Sequence, residues 1–267
     1  MKINRQEFVA ALEKVRPGLA NKELIEQSTS FAFIKDRVFT YNDEISISHP
    51  IHNFDMTGAV KAQLLYTFLG KIKQDEIDVE KEENQIIVKA GRSTAGFVLE
   101  QDIKLPVQEE IGKIKDWQTL PDDLIDALKF CYPCCSNDMN HAVLTCIHIN
   151  NNLIEATDSY QIIQYMIKTA CPFNSLLIPI SAVKELIKYP INQIAKKGNW
   201  VHFKTTDGTI FSSRIIEDTF PDVAAHLKVK GESFIFPPTV YDILNRAQIF
   251  SKNMLDKGEV PSTTIEI

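Results

Sequence analysis

The 267 residues contain no apolar run near the roughly 18 needed to cross a bilayer, and the opening MKINRQEF lacks the apolar core of an export signal. These absences point to the cytoplasm and to no membrane role. Cysteine is scarce and odd in number, at five, which fits a reducing compartment better than a disulfide framework. Catalytic signatures are missing as well: there is no GxxxxGK[ST] phosphate loop, no GxSxG elbow, no HExxH and no GxGxxG. The six histidines, His49, His52, His141, His148, His202 and His226, are scattered without a repeating carboxylate or serine partner. An enzyme therefore has little support, a nucleotide-modifying one is a distant alternative, and no cofactor is implied.

What is present is a repeat. Phe8, Ala11 and Leu12 begin an apolar stripe in RQEFVAALEKV, Leu124, Ala127 and Leu128 repeat it in PDDLIDALKF, and Val240, Ile243 and Leu244 repeat it again. Leu12 and Leu128 stand 116 positions apart, as do Leu128 and Leu244; Asp43 and Asp158 are 115 apart, and Gly91 and Gly208 are 117 apart. A period of this length is domain-sized rather than solenoid-sized. Two periods cover 232 residues and leave 35, enough for one helix and the start of a strand, STTIEI, but too few to close a core. The expected domains are 1–116, 117–230 and an incomplete 231–267.

Each copy alternates helix and antiparallel meander. The first opens with a helix near 5–16, then a hairpin about Lys35-Asp36-Arg37, a helix in AVKAQLLYTFLGKIK and a second meander ending in KAGRSTAGFVLE. The second reproduces this order, with turns at Asn150-Asn151-Asn152 and Asp207-Gly208, the latter read as a two-residue hairpin, and a helix in SAVKELIKY stopped by Pro190. Linkers fall at 101–120 and 220–233. The predicted class is α+β, with two helices on one side of antiparallel sheet in each copy. Copies related by a simple rotation form an arc, and arcs can close into rings.

Net charge is −6, which by itself argues against nucleic acid. Its distribution differs. The segments 5–16, 60–73, 122–130, 183–197 and 240–252, read as helices with trailing turns, sum to +6, so the remainder carries −12. Basic helices within an acidic exterior require a reason.

At LIEATDSYQI, LLIPISAVKELIKY and FSSRIIEDTFPDV the chain resembles the second domain of the bacterial sliding clamp, the beta subunit of DNA polymerase III. The resemblance rests on the Ala156-Thr157-Asp158 turn, the helix entry from Ile178 to Leu186, and the Phe220-Pro221-Asp222 turn. GRSTAGFVL resembles the closing hairpin of the clamp's first domain. Together these imply tandem clamp domains, two full copies plus the start of a third, from a bacterial or phage-encoded protein lacking most of its third domain. The implied function is a non-catalytic processivity factor that encircles double-stranded DNA without sequence preference. Its implied partners are the replicative DNA polymerase and the clamp loader, bound through short peptide motifs, and further chains that complete a homo-oligomeric ring. A positive inner wall would neutralise phosphate while allowing sliding, and a negative exterior would keep DNA off the outside. Two alternatives stay open: a two-domain clamp closing as a trimer, and a clamp-fold protein-binding module that no longer encircles DNA.

The resemblance assigns candidate residues. Lys61, Lys71, Lys73, Lys184 and Lys188, with Lys22 in a loop and Arg246 in the third helix, would face DNA; a solvated helix face is the plainer account of the same lysines. Arg5, Lys14, Arg16 and Lys252 belong to the same group. Leu144, Thr157, Ser159, Tyr160, Gln161, Ile162 and Pro221 would form one side of the partner-peptide cleft, although Ser159-Tyr160-Gln161 departs from the family's Gly-His-Arg. Ordinary inter-domain packing would account for these residues equally. Cys131, Cys134 and Cys135, with His141 nearby, lack the second ligand pair of a structural zinc site, so they read as small apolar helix residues and no metal is expected. The acidic stretch Asp75–Glu83 alternates with Ile77 and Val79 and reads as a solvated edge.

Overall fold

The computed structural model describes residues 1–106, 114–228, 231 and 235–255. The first succession of elements is β1 (Lys2–Asn4), α1 (Arg5–Val15), β2 (Ser30–Lys35), β3 (Arg37–Tyr41), β4 (Ile45–Pro50), β5 (Met56–Lys61), α2 (Ala62–Lys71), β6 (Glu76–Glu82), β7 (Gln85–Ala90) and β8 (Ser93–Val98). The second is β9 (Gln118–Thr119), α3 (Leu124–Cys131), β10 (Cys146–Asn150), β11 (Leu153–Thr157), β12 (Ile162–Met166), β13 (Leu176–Pro179), α4 (Ile180–Leu186), β14 (Ile191–Lys197), β15 (Trp200–Thr205) and β16 (Ile210–Arg214). A last helix, α5 (Val240–Leu255), follows, and the tail STTIEI lies outside the described residues. Met1–Pro221 forms one compact unit, and a second begins at Asp222.

Strand register carries the repeat. Ile34 pairs with Arg37 across the first hairpin and Asn150 with Leu153 across its counterpart, both members displaced by 116; Lys35 and Asn151 each take a positive φ, 57° and 55°. Each repeat splits its strands between two antiparallel sheets. Strands β1-β6-β7-β8 form one four-stranded sheet and β12-β11-β10-β13 another. The remaining halves merge into one eight-stranded sheet, β5-β2-β3-β4-β16-β15-β14-β9, in which β4 of the first repeat pairs with β16 of the second. The repeats therefore share a backbone-bonded seam.

Alternation along the strands puts one set of side chains into the core. Phe31 and Phe33 of β2 and Ile45 and Ile47 of β4 are buried with Phe8, Leu12 and Val15 of α1 and Leu65 and Leu69 of α2. Phe8 lies 5.5 Å from Phe54 and 6.2 Å from Phe33 between ring centroids. Each such side chain contributes about 1.5–3 kcal/mol on leaving water. Asn4 starts α1 by accepting from the Gln6 and Glu7 amides at 2.9 and 3.1 Å, and the following Arg16-Pro17-Gly18 tightens into a 3-10 turn. On the opposite face, Ala32, Tyr41, Ala59 and Trp200 pack with Leu105, so the connection between repeats lies over the eight-stranded sheet.

Two expectations change. The segment 183–197 is not helix with a trailing turn: α4 ends at Leu186 and β14 starts at Ile191, directly after Pro190, whose fixed φ and missing N–H end helices and suit strand starts. The Asp207-Gly208 hairpin has a three-residue loop, since the Thr205 amide donates to Thr209 at 3.0 Å and the Gly208 amide donates back to Thr205 at 3.1 Å, with Gly208 at φ 81°.

Candidate nucleic-acid face and partner cleft

Helices from both repeats border one groove. A cavity of about 840 Å3 is lined by Glu13 and Arg16 at the end of α1, Ala62 and Gln63 at the start of α2, and Glu185 of α4. Lys184 and Lys188 are exposed on and just beyond α4, while Lys71 ends α2 and Lys73 follows it, both exposed. Lys22, Lys71, Lys73 and Lys184 make no ion pair among the described residues. Two candidates are already engaged: Lys61 Nζ lies 2.5 Å from Glu23, and Lys188 Nζ lies 2.8 Å from Glu185. Arg246 is exposed on α5 in the second unit.

Other basic groups serve the fold. Arg5 Nε donates to the Gln74 carbonyl at 2.8 Å, closing the turn after α2, and Lys14 pairs with Asp207 at 2.5 Å. Arg16 stacks over Tyr66 at 4.9 Å, and the Tyr66 hydroxyl donates to Glu13 at 2.7 Å. Lys196 and Lys197 belong to β14 and Lys61 to β5, which lowers the helical charge sum from +6 to +3. The segregation of charge is real but weaker than the sequence suggests, and Glu13, Glu23 and Glu185 lie among the basic groups.

Among the cleft candidates, Thr157 to Ile162 form one hydrogen-bonded turn. Asp158 Oδ1 accepts from the Tyr160 and Gln161 amides at 2.9 and 2.8 Å, and Gln161 Nε2 donates to Oδ2 at 3.1 Å. Partial burial raises the Asp158 carboxyl, but these bonds outweigh it and hold its pKa below the usual range. Thr157 Oγ1 donates to the Gln161 carbonyl at 2.7 Å, and Ser159 takes φ 78°. The turn thereby presents Tyr160, 96% exposed, and feeds Ile162 into β12 opposite Thr157. Leu144 stands half-buried just before β10, and Pro221 is exposed after Phe220.

Phe220 anchors this corner. Its ring stacks on His148 at 4.8 Å; His148 Nδ1 lies 2.8 Å from Glu155 Oε1, and Gln164 donates to Glu155 Oε2 at 2.7 Å. Sequence reading passed over His148, Glu155, Gln164 and Phe220 as contributors. For His148 and Glu155 the only signal was parity, which puts His148 away from Ile147 and Ile149, on the face where Thr157 lies; Phe220 had been noted only as part of the Phe220-Pro221-Asp222 turn.

No protein-family model and no curated protein matches the chain. Solved structures do. A DNA polymerase III beta subunit from Eubacterium rectale superposes with a TM-score of 0.73 at 12% identity, over 86% of this chain and 68% of that one. The DNA polymerase sliding clamp of Bacillus subtilis gives 0.70 at 17% identity, over 84% and 66%, and the DNA polymerase III beta chain of Streptococcus pneumoniae gives 0.72 at 17%, over 94% and 74%. This is the sliding-clamp fold. The chain spans about two thirds of the length of the clamps it matches.

Within the clamp fold the cysteines are packing residues. All five are free and buried, and burial pushes the thiols of Cys131, Cys135 and Cys146 up to about 12, so they stay protonated. Among the described residues no group of three or more His, Cys, Asp or Glu side chains could hold a metal ion, and no helix is long and apolar enough to cross a membrane. Asp78 and Glu80 alternate outward from Ile77 and Val79 on β6, with Glu80 paired to Lys89 at 2.6 Å.

Proposed function

We propose that this chain acts as a DNA sliding clamp: a cytoplasmic, non-catalytic processivity factor that surrounds duplex DNA and tethers a replicative polymerase, with a clamp loader opening and closing it. The carrying observation is the groove shared by α1, α2 and α4 beside one continuous eight-stranded sheet, which supports helices from successive repeats facing a common interior. In this reading the domains are 1–116, 117–230 and the start of a third at 231–267. Lys22, Lys71, Lys73 and Lys184 contact phosphate directly, Arg246 does so from the third domain, and Lys61 and Lys188 exchange Glu23 and Glu185 for DNA. Contacts of this kind neutralise the backbone without reading bases, which permits sliding.

Thr157, Ser159, Tyr160, Gln161, Ile162, Leu144 and Pro221 form the near wall of the peptide cleft, with Tyr160 as its exposed aromatic anchor. Ring closure uses sheet edges: β8 and β12 are end strands, and their exposed Val98 and Met166 suit head-to-tail pairing with another module.

The test is primer extension by the cognate polymerase on closed circular and on linear templates, with light scattering to count chains per ring. Clamp action raises processivity on circles and loses the gain on linear DNA, where the ring slides off an end. A second reading, a clamp-fold protein-binding module, is favoured by the acids among the basic groups, Glu13, Glu23 and Glu185. It predicts peptide binding without any topological effect, and equal extension on both templates would select it.

A further inference from the structure

The outward face of the eight-stranded sheet holds a second site at the seam. Arg37 and Phe39 of β3 stand beside Ser46 and Ser48 of β4, with Phe39 opposite Ser48; across the seam Ser46 faces Ser212 of β16, which in turn faces His202 of β15. Where larger side chains would fill the face, the serines leave a trough. It encloses a cavity of about 120 Å3. Since ~10–15 Å3 of such space already holds one water, this admits a few waters or one small ion, and it is well below the ~300 Å3 at which sites for larger ligands begin.

Phe39, Ile114 and Ile210 make part of the wall apolar, and its polar part, Arg37 with the serines, favours an anion. Arg37 is half-buried, and its Nη2 donates to Ser48 Oγ at 3.0 Å and to the Gly208 carbonyl at 2.8 Å. Its Nε and Nη1 hydrogens have no acceptor, and no carboxylate lies within ion-pair distance, among the described residues. Burial lowers the Arg37 pKa, and Asp36, beyond ion-pair distance, only partly offsets this, so a further negative charge would be favourable there. Ser48 Oγ accepts from Arg37 and donates its own hydrogen to no described group.

His202 adds a third feature. It is fully buried, its Nδ1 lies 2.8 Å from Ser212 Oγ, and its Nε2 has no partner among the described residues. Burial keeps the ring neutral at ordinary pH. With the proton on Nδ1, His202 donates to Ser212, which frees the Ser212 hydroxyl to donate into the cavity and leaves Nε2 as a bare lone pair rather than a stranded N–H. Ser46 forms wall only, because its hydroxyl donates to the Thr40 carbonyl at 2.9 Å.

We propose that this seam cavity binds a small free oxyanion of the phosphate class, held by Arg37, Ser48 and Ser212, and that the bound ion ties the first repeat to the second. The site faces away from the helical groove, so it stands or falls independently of the DNA reading. Isothermal titration with inorganic phosphate, at constant ionic strength in chloride, tests it on the whole chain. The expected result is saturable binding of one ion, weakened at least tenfold in Arg37→Met and severalfold in Ser48→Ala, with unchanged circular dichroism. Ser48→Ala removes one hydroxyl and decides the matter if Arg37→Met does not fold. Absence of saturable binding, or equal affinity in the wild type and Ser48→Ala, overturns the assignment. A rise in melting temperature alone does not count, since phosphate stabilises folded proteins generally by exclusion.

Discussion

Single side chains stitch the two repeats together where the seam ends. Lys14 of α1 reaches Asp207 in the loop before β16, Tyr189 donates to the Lys14 carbonyl at 2.6 Å, and His49 Nδ1 lies 2.8 Å from Thr209 Oγ1. Burial depresses the His49 pKa to about 4, with Lys14 and Arg37 adding to the effect against Asp207, and burial brings His202 to about 4 as well. Both rings are neutral when folded, whereas an unfolded histidine titrates near 6.5. Below about pH 6.5 the unfolded chain therefore binds more protons than the folded one, and stability falls until about pH 4, where the folded rings also protonate. Each ring contributes up to about 1.4 kcal/mol per pH unit across that window. In His49→Gln, urea midpoints measured from pH 7 to 4 are expected to lose about one proton's worth of this slope; an unchanged slope would show that His49 is not held neutral.

At the scale of elements, local chemistry dictates much of the outcome. Gly58 in β5 has φ 146°, and a Cβ there would sit 2.3 Å from Leu99 Cδ1 and 3.0 Å from the Glu100 carbonyl, beside the Ala59–Glu100 bridge. Gly58→Ala is expected to destabilise the chain by about 2 kcal/mol or more, read as a lowered denaturation midpoint. The period was legible because Leu12 and Leu128 occupy equivalent buried positions on α1 and α3, whereas the matching positive φ of Lys35 and Asn151 at the same spacing emerges only in the structure. Lys196 and Lys197 were misread because charge was counted through Pro190, the residue that separates α4 from β14. The seam was not legible at all. Ser46, Ser48 and Ser212 look like the wet face of alternating strands, and their burial depends on a pairing between β4 and β16 that local pattern does not encode. For the candidate cleft, the Ala156-Thr157-Asp158 turn entered through the family resemblance, while Phe220's place on His148 had no signal in the sequence.

For the whole molecule, the clamp reading makes charge a measurable quantity. Replacing Lys71, Lys73 and Lys184 by Gln is expected to shorten retention on circular DNA and to flatten the dependence of log affinity on log salt by about 0.9 for each phosphate that is no longer neutralised. Equal retention and slope for the variant would assign these lysines to solvent. The core should be indifferent to the change, since all three side chains are exposed.

Trp200 gives the seam an optical signature. The chain has two tryptophans, and this one is 1% exposed, lies beneath the Arg214 guanidinium at 4.8 Å and sits 6.0 Å from Tyr41, a residue of the other repeat. Parting β4 from β16 would strip Tyr41 away and wet the indole, shifting its fluorescence to the red without any added dye. Any event that opens the junction between the two repeats would thus be visible in the emission of the unlabelled protein.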